Sequence, residues 1–128
     1  PRILVVDDDD TVRFTISQIL EAGGYEVVCA EDGVQGLASF RTHRPELTIT
    51  DLIMPEQEGI SLIRSILTER PDASILAISG GGRIGNADYL NMARKLGARD
   101  VLSKPFEMAA LLEKVVSCLA PRMPPAKP

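Results

Sequence analysis

The stretch that decides the fold is ILVVDDDD at residues 3–10, in which four apolar residues are followed directly by four aspartates. Ile3 to Val6 form a short, mostly β-branched run, which is typical of a strand that is buried on both faces. The aspartates follow at the point where such a strand ends. In an open parallel sheet this end of the strand is where ligands bind, so the stretch predicts both a buried strand and a polar site.

Similar apolar runs recur along the chain and predict further strands. They are Tyr25 to Cys29, Leu47 to Thr50, Ser74 to Ile78, and Val101 to Leu102. The segments between them carry apolar residues at helical spacing. The pattern is clearest in the last segment, at Met108, Leu111, Leu112, Val115, Val116 and Leu119. Five strands alternating with five helices, (βα)5, predict an α/β domain built on a doubly wound, five-stranded parallel sheet.

Length and composition agree with one compact domain. The chain has 128 residues, of which 45% are apolar and 25% are charged, within the usual range for a domain with its own core. We expect this domain to span residues 1–120. Four of the last eight residues, 121–128, are proline, which cannot continue a helix, so this segment is predicted to be a tail or the start of a linker.

Charge and cysteine content exclude several classes of function. The net charge of −4 lacks the basic excess that binding to a phosphate backbone requires, so direct contact with nucleic acid is not expected. No uncharged apolar run approaches the roughly 18 residues of a bilayer span, so no membrane association is expected. Cys29 and Cys118 form neither a close-spaced metal pair nor a dense disulfide framework. These observations favour a cytoplasmic location.

Polar residues follow four of the five predicted strands. Residues 7–10 are aspartates after the first strand, Asp51 follows the third, Ser79 follows the fourth, and Lys104 comes shortly after the fifth. Parallel strands bring these positions to one edge of the sheet. Oxygen ligands suit Mg²⁺, and a lysine supplies a point charge for phosphate oxygens. The combination therefore indicates a site for a divalent cation and a phosphoryl group.

Each of these residues also has a simpler interpretation. Asp9 and Asp10 are equally well placed to cap a helix, since carboxylates accept hydrogen bonds from free N–H groups there. Ser79 alone is an ordinary cap candidate, and Lys104 before Pro105 is alone an exposed residue ahead of a helix. The only histidine, His43, is interpreted as a solvated residue at a helix end. The functional prediction therefore depends on the conjunction of residues.

The motifs together resemble the CheY-like receiver domain of two-component response regulators. The resemblance covers residues 2 to 119. It rests on VVDD at residues 5–8, DLIMP at 51–55 followed by Gly59, SG at 79–80, and KPF at 104–106, in the order in which the family has them. It implies a flavodoxin-like strand order 2-1-3-4-5. It also implies a cis peptide bond between Lys104 and Pro105. The family's usual aromatic residue three positions before the lysine is Val101 here.

The resemblance also implies a function and a set of site residues. Asp51 is expected to accept the phosphoryl group, and Lys104 and Ser79 to contact its oxygens. Asp8, Asp51 and the backbone carbonyl of Ile53 are expected to bind Mg²⁺ directly, with Asp7 acting largely through water.

The same resemblance implies partners. The expected donor is a histidine kinase or a histidine phosphotransfer protein, and the expected target is a downstream protein or an output domain, with a homodimer left open. The chain is expected not to be an enzyme beyond promoting its own phosphorylation and dephosphorylation.

Three alternatives stay open at this point. The DxDxT pattern at residues 7–11 matches haloacid-dehalogenase-like phosphatases, in which Asp7 would be the nucleophile. Residues 80–85 satisfy GxGxxG, a weak indication of nucleotide binding. The domain could also keep the receiver fold as an interaction module that works without phosphorylation.

Overall fold

The computed structural model describes residues 1–55, 58–79 and 86–121. Within these ranges the strands are β1 Arg2–Val6, β2 Glu26–Ala30, β3 Leu47–Asp51, β4 Ile75–Ser79 and β5 Asp100–Ser103. The helices are α1 Asp10–Ala22, α2 Gly33–His43, α3 Glu58–Glu69, α4 Asn86–Leu96 and α5 Met108–Leu119. The predicted alternation of strands and helices is confirmed, and each predicted strand is present with its ends shifted by at most one residue.

The strands form one parallel sheet in the order β2-β1-β3-β4-β5, which confirms the predicted doubly wound, flavodoxin-like architecture. In the register of the sheet Val6 pairs with Thr50, Asp51 with Ile78, and Ser79 with Ser103. The carboxyl ends of the four strands β1, β3, β4 and β5 therefore reach the same edge. We call this edge the rim.

Both faces of the sheet are covered by helices, which is why nearly all residues of β1, β3 and β4 are buried. Ile3 and Val5 contribute to the core on one face, and Leu4 and Val6 to the core on the other. The first core also contains, from α1 and α5, Ile16, Leu20, Leu111 and Val115. The second also contains, from α3, Leu62, Ile63 and Ile66. Alternate residues of β1 thus fix the sheet from both sides and hold the rim in place.

The first and last helices have well-defined ends. Asp9 is the N-cap of α1, where its side chain accepts hydrogen bonds from the backbone N–H groups of Thr11 and Val12. Helix α5 spans Met108 to Leu119, the range that its apolar pattern predicts. Apart from Pro121, the predicted tail at 121–128 lies outside the described residues, as does the GxGxxG segment at 80–85.

No helix in the described part of the chain is both long enough and apolar enough to cross a membrane.

Candidate functional site

A cluster of three carboxylates lies at the rim. Asp7 and Asp8 follow β1, and Asp51 is the last residue of β3. One carboxylate oxygen from each of the three lies within 4.8 Å of the others. Asp7 and Asp51 are only 2% and 6% exposed, whereas Asp8 is open to solvent. The predicted acidic residues are therefore brought together, with one side open to a ligand.

Lys104 supplies a positive charge to this cluster. Its Nζ lies 3.0 Å from Asp7 Oδ2 and 3.3 Å from Asp51 Oδ2. Desolvation alone would lower the pKa of Lys104, but the hydrogen bond to Asp7 and the charges of Asp51 and Asp7 outweigh it and raise that pKa. The ammonium is therefore charged at neutral pH. Lys104 is not the exposed residue that its sequence neighbourhood alone would allow.

The surroundings of the Asp51 carboxyl group disfavour its negatively charged form. Burial raises the pKa of Asp51 above its ordinary value, and the negative charge of Asp7 adds to this effect. The charge of Lys104 and the backbone N–H of Ile53 act in the opposite direction without cancelling it. Among the described residues, the charge of Lys104 therefore does not offset the burial of Asp51 together with the charge of Asp7. The cluster favours a further cation.

Four atoms of Asp7 make hydrogen bonds to surrounding residues. Its backbone N–H donates to Ala30 O at 3.2 Å, which continues the sheet beyond β1. Its Oδ1 accepts from the Asp9 N–H at 2.9 Å, and its Oδ2 faces Lys104. Its backbone carbonyl accepts from Arg13 Nη1 at 2.7 Å. The position of Asp7 is therefore fixed by the sheet, by the start of α1 and by two cations.

Arg13 is the residue at this site that sequence reasoning missed. It lies at the end of the first turn of α1, and its Nη2 also pairs with Asp10. Helical side chains point back toward the N-terminus of their helix, so a long side chain here reaches the residues before the helix. That directional rule, applied to an arginine just after four aspartates, is the signal that could have found it.

Ser79 and Ile53 lie at the ends of neighbouring segments of the rim. Ser79 ends β4 and is completely buried, and its backbone carbonyl accepts from the Lys104 N–H at 2.8 Å. The Ile53 N–H donates to Asp51 Oδ1 at 3.0 Å, and its side chain is 45% exposed. Ser79 is therefore tied through the backbone to the segment that carries Lys104, and Ile53 orients the carboxylate of Asp51.

Gly59, in the first turn of α3, lies directly behind Asp51. A Cβ at position 59 would be 2.1 Å from the backbone carbonyl oxygen of Asp51 and 2.8 Å from the Cα of Leu52. Only glycine allows this close approach. The backbone of Asp51 is therefore packed against α3 with no space between them.

Two further expectations about the rim concern β5 and its loop. The peptide bond between Lys104 and Pro105 is cis, as the resemblance implied. Val101, at the position of the family's aromatic residue, is 8% exposed and packs in the core on the side of α3 and α4.

The residues at the rim suit Mg²⁺ by their chemistry. This ion prefers hard oxygen ligands and is usually held by one or two carboxylates with water completing its shell. Asp7, Asp8 and Asp51 offer such oxygens on the partly open side of the cluster. His43, by contrast, ends α2 at the opposite edge of the sheet, where its carbonyl accepts from Arg2 at 2.8 Å.

The alternative of a phosphatase with Asp7 as nucleophile is not favoured by this arrangement. Asp9, the second aspartate of the DxDxT pattern, is engaged as the cap of α1. Asp7 is enclosed by four contacts, and the pattern leaves Asp51 and Lys104 unexplained. Among the described residues, no feature of the rim favours the interaction-module alternative.

Comparison with known proteins gives a consistent result. The family model described as the response regulator receiver domain matches residues 3–116. The chain is 36% identical to the chemotaxis protein CheY of Bacillus subtilis over 115 residues, which cover 89% of this chain and 93% of CheY. It is 33% identical to the transcriptional regulatory protein CseB of Streptomyces coelicolor over 117 residues, which cover 91% of this chain and 48% of CseB. The chain thus spans about half the length of CseB.

Solved structures agree with the sequence comparisons. A response regulator receiver domain protein from Clostridium thermocellum has a TM-score of 0.85 and 30% identity, with 92% of this chain and 93% of that chain covered. The receiver domain of NtrX from Brucella abortus has the same score and identity, with 91% and 97% covered.

Proposed function

The chain belongs to the family of response regulator receiver domains, which accept phosphoryl groups in two-component signalling, and on that premise we propose that its phosphoacceptor is Asp51. The single observation that carries this proposal is the position of the Asp51 carboxylate, at the end of a central strand, between two acidic neighbours and 3.3 Å from the ammonium of Lys104. The proposed domain spans residues 1–120.

In the proposed reaction a carboxylate oxygen of Asp51 attacks the phosphorus of a phosphohistidine on a partner protein. A P–O bond to Asp51 forms, the P–N bond to the imidazole breaks, and the nitrogen keeps the electron pair of that bond. The product is an acyl phosphate. The N–H of Ile53, 3.0 Å from Asp51 Oδ1, holds one carboxylate oxygen, which leaves the other oxygen to attack.

Lys104 and Ser79 are proposed to contact the phosphoryl oxygens. Lys104 Nζ already lies near Asp51 Oδ2, so a small movement away from Asp7 would bring it to an oxygen of the incoming group. Fixed positive charge is effective here because the rim is partly closed to water. Ser79 ends the strand next to β3, which places its residue beside Asp51 in the sheet.

The Mg²⁺ ion is proposed to be held directly by Asp8, Asp51 and the carbonyl of Ile53, and by Asp7 largely through water. When bound, the ion supplies positive charge that offsets the repulsion between the carboxylates and the phosphoryl oxygens. The raised pKa of Asp51 supports this proposal, because burial and the charge of Asp7 outweigh the charge of Lys104, and a bound cation would act against both.

A partner that carries the phosphohistidine has to reach the rim, and the chain offers a groove beside it. This groove is lined mostly by apolar groups, has a volume of about 370 Å³, and is formed by Thr11, Val12, Thr15, Ile16, Lys104, Pro105 and Phe106. We propose that it receives the kinase or phosphotransfer protein. We further propose that the chain signals to a downstream protein or output domain and that it forms a dimer. We also propose that it is cytoplasmic and that it promotes its own phosphorylation and dephosphorylation.

The test is incubation with Mg²⁺ and acetyl phosphate, followed by intact mass spectrometry. We expect the wild type to gain one phosphoryl group, and the gain to be lost without Mg²⁺. The matched variant is Asp51→Asn, which keeps the size of the side chain and removes the nucleophile. Equal phosphoryl uptake by the wild type and by Asp51→Asn would overturn the assignment.

A further inference from the structure

Arg13 occupies a position that the general rules for helices disfavour. It lies at the end of the first turn of α1, where the positive end of the helix dipole repels a cation. Its side chain is nevertheless only 16% exposed, which means that most of it has been removed from water. A mostly buried cation at the unfavourable end of a helix needs a compensating contact.

The compensating contact is the backbone carbonyl of Asp7. Arg13 Nη1 donates to that oxygen at 2.7 Å, a distance typical of a strong charge-assisted hydrogen bond. The second contact, with Asp10, involves a carboxylate that is 85% exposed and is therefore worth little in itself. It serves to orient the guanidinium, whose planar fork spans Asp10 and Asp7.

The two cations near Asp7 thus contact it in different ways. Lys104 faces a side-chain oxygen, Oδ2, which is one of the oxygens available to a metal ion. Arg13 faces the backbone oxygen and leaves the carboxylate untouched. Lys104 therefore competes with a bound cation for that oxygen, whereas Arg13 fixes the acidic loop without occupying a ligand atom.

We infer that Arg13 is a positioning residue for the metal site: it holds the segment Asp7–Asp10 in the geometry in which the carboxylates can bind Mg²⁺. This inference rests on the proposed function, because it concerns the same cluster. Residues that orient metal ligands without touching the metal typically contribute 10- to 100-fold to metal affinity. Arg13 is assigned such a role here, and it takes no part in the attack of Asp51.

Loss of the Arg13 contact should change Mg²⁺ affinity without changing the phosphorylation rate at saturating Mg²⁺, whereas a general loss of stability would change both. Replacing Arg13 with Gln should weaken Mg²⁺ binding by about 10- to 100-fold. The rate of phosphorylation by acetyl phosphate at saturating Mg²⁺ should remain close to that of the wild type, because Asp51, Lys104 and Ser79 are intact. Replacing Lys104 with Gln should give the opposite result, a lower maximal rate with Mg²⁺ binding unchanged or tighter.

The experiment is isothermal titration of the metal-free protein with Mg²⁺ alone, for the wild type and four variants. Arg13→Gln tests the inference. Arg13→Lys should recover part of the affinity, since an ammonium can replace only one prong of the guanidinium fork. Asp10→Asn should lose less affinity than Arg13→Gln. Arg41→Gln is the matched control, the same change at an arginine whose ion-pair partner is Glu69, away from the rim.

A second readout needs no metal. In the metal-free protein, the amide proton of Asp9 is hydrogen-bonded to Asp7 Oδ1, so its exchange with solvent reports the order of the loop. We expect Arg13→Gln to accelerate this exchange and Arg41→Gln to leave it unchanged.

Two results would overturn the inference. One is wild-type Mg²⁺ affinity in Arg13→Gln, and the other is an equal loss of affinity in Arg13→Gln and Arg41→Gln. If Arg13→Gln does not fold, Arg13→Lys decides in its place: Mg²⁺ affinity below that of the wild type supports the inference, and wild-type affinity overturns it. If the wild type itself does not bind Mg²⁺, the proposed function fails, which is a different outcome.

Discussion

Two carboxylates in this molecule each face a cation, and their pKa values move in opposite directions. At the rim, burial and the charge of Asp7 raise the pKa of Asp51 despite the nearby Lys104. Between α2 and α3, the hydrogen bond from Arg41 lowers the pKa of Glu69. Lys104 is 18% exposed and faces two buried carboxylates, whereas Arg41 is 59% exposed and faces one. A neighbouring cation therefore does not lower the pKa of a carboxylate when burial and a second negative charge outweigh it.

The two regions differ in whether their charges are fully paired. The pair between α2 and α3 is complete in itself, with the guanidinium Nε of Arg41 3.0 and 3.1 Å from the two oxygens of Glu69. The rim is incomplete, because its described residues carry more negative than positive charge. Uncompensated buried charge is typical of sites that bind a cation or carry out chemistry, whereas the carboxylate of Glu69 is satisfied by its own ion pair.

The largest effect is expected from removing the cation at the rim. Lys104→Met should slow phosphorylation by acetyl phosphate at saturating Mg²⁺ by about 100-fold, because a fixed charge aimed at the phosphoryl oxygens is lost. The rate is measured by intact mass spectrometry over time. Arg41→Met, which removes the cation of the other pair, should leave it unchanged. Equal rates in the wild type and Lys104→Met would mean that the two pairs do not differ in function.

The next largest effect is expected on stability, when a glycine packed closely against its neighbours is replaced by alanine. Gly59→Ala places a methyl group 2.1 Å from the carbonyl oxygen of Asp51, which cannot move without displacing β3. We expect a loss of at least about 2 kcal/mol in the free energy of unfolding. Gly36→Ala in α2 meets only side-chain methyl groups, of Leu62 and Val6, at 3.1 Å.

The Gly36→Ala variant is the control for this prediction. Its strain is offset by the gain of up to about 1 kcal/mol that alanine brings to a helix, so its stability should stay near that of the wild type. Urea denaturation measures both. A larger loss for Gly36→Ala than for Gly59→Ala would contradict the close approach at Asp51.

A smaller effect is expected on the stability of the metal-free protein. The raised pKa of Asp51 means that the folded state binds its proton more tightly than the unfolded state does. Stability therefore falls as the pH rises from the ordinary pKa of an aspartate through the raised value. Asp51→Asn should remove this dependence and raise the melting temperature at neutral pH by a few degrees.

The difference between Asp51→Asn and the wild type should shrink as the pH falls below the ordinary pKa of aspartate. Added Mg²⁺ should stabilise the folded state to which it binds. The effect should be larger for the wild type than for the variant, because the variant lacks the proposed carboxylate ligand at position 51. Calorimetry with and without Mg²⁺ measures both effects. A lower melting temperature for metal-free Asp51→Asn at neutral pH would show that the carboxylate is not under electrostatic strain.

The smallest effect is expected from the exposed pair. Because the pKa of Glu69 is lowered, its contribution to stability is present above the ordinary pKa of a glutamate and is lost as the pH falls through the lowered value. Arg41→Gln should therefore destabilise the fold only slightly at neutral pH, and the effect should disappear in high salt. Thermal unfolding at two salt concentrations checks this. A loss that persists in high salt would contradict a purely electrostatic pair.

The sequence was sufficient to predict the fold because its signals are local and repeated. The apolar run at Ile3–Val6 and the helical spacing from Met108 to Leu119 each define an element without reference to the rest of the chain. The strand order came from the resemblance of the motifs. Parallel alternation then placed Asp7, Asp51 and Lys104 at one edge.

The contacts within the site were harder to predict because they join distant parts of the chain. Lys104 is 97 residues from Asp7 and 53 from Asp51, and no local pattern fixes the distance between their atoms. Asp9 as the cap and Arg13 on the Asp7 carbonyl depend on where α1 begins, which a run of four aspartates leaves open. The pKa of Asp51 depends on burial, which only the packed structure defines.

The position of the phosphoryl group on the phosphorylated chain is the direct test of Asp51 as the phosphoacceptor. The chain is phosphorylated with acetyl phosphate and Mg²⁺, the acyl phosphate is reduced with borohydride, and the modified residue is identified by tandem mass spectrometry of the peptides. Reduction converts a phosphorylated aspartate to homoserine. We predict homoserine at position 51. Homoserine at position 7, or at neither position in a protein that has gained a phosphoryl group, would contradict it.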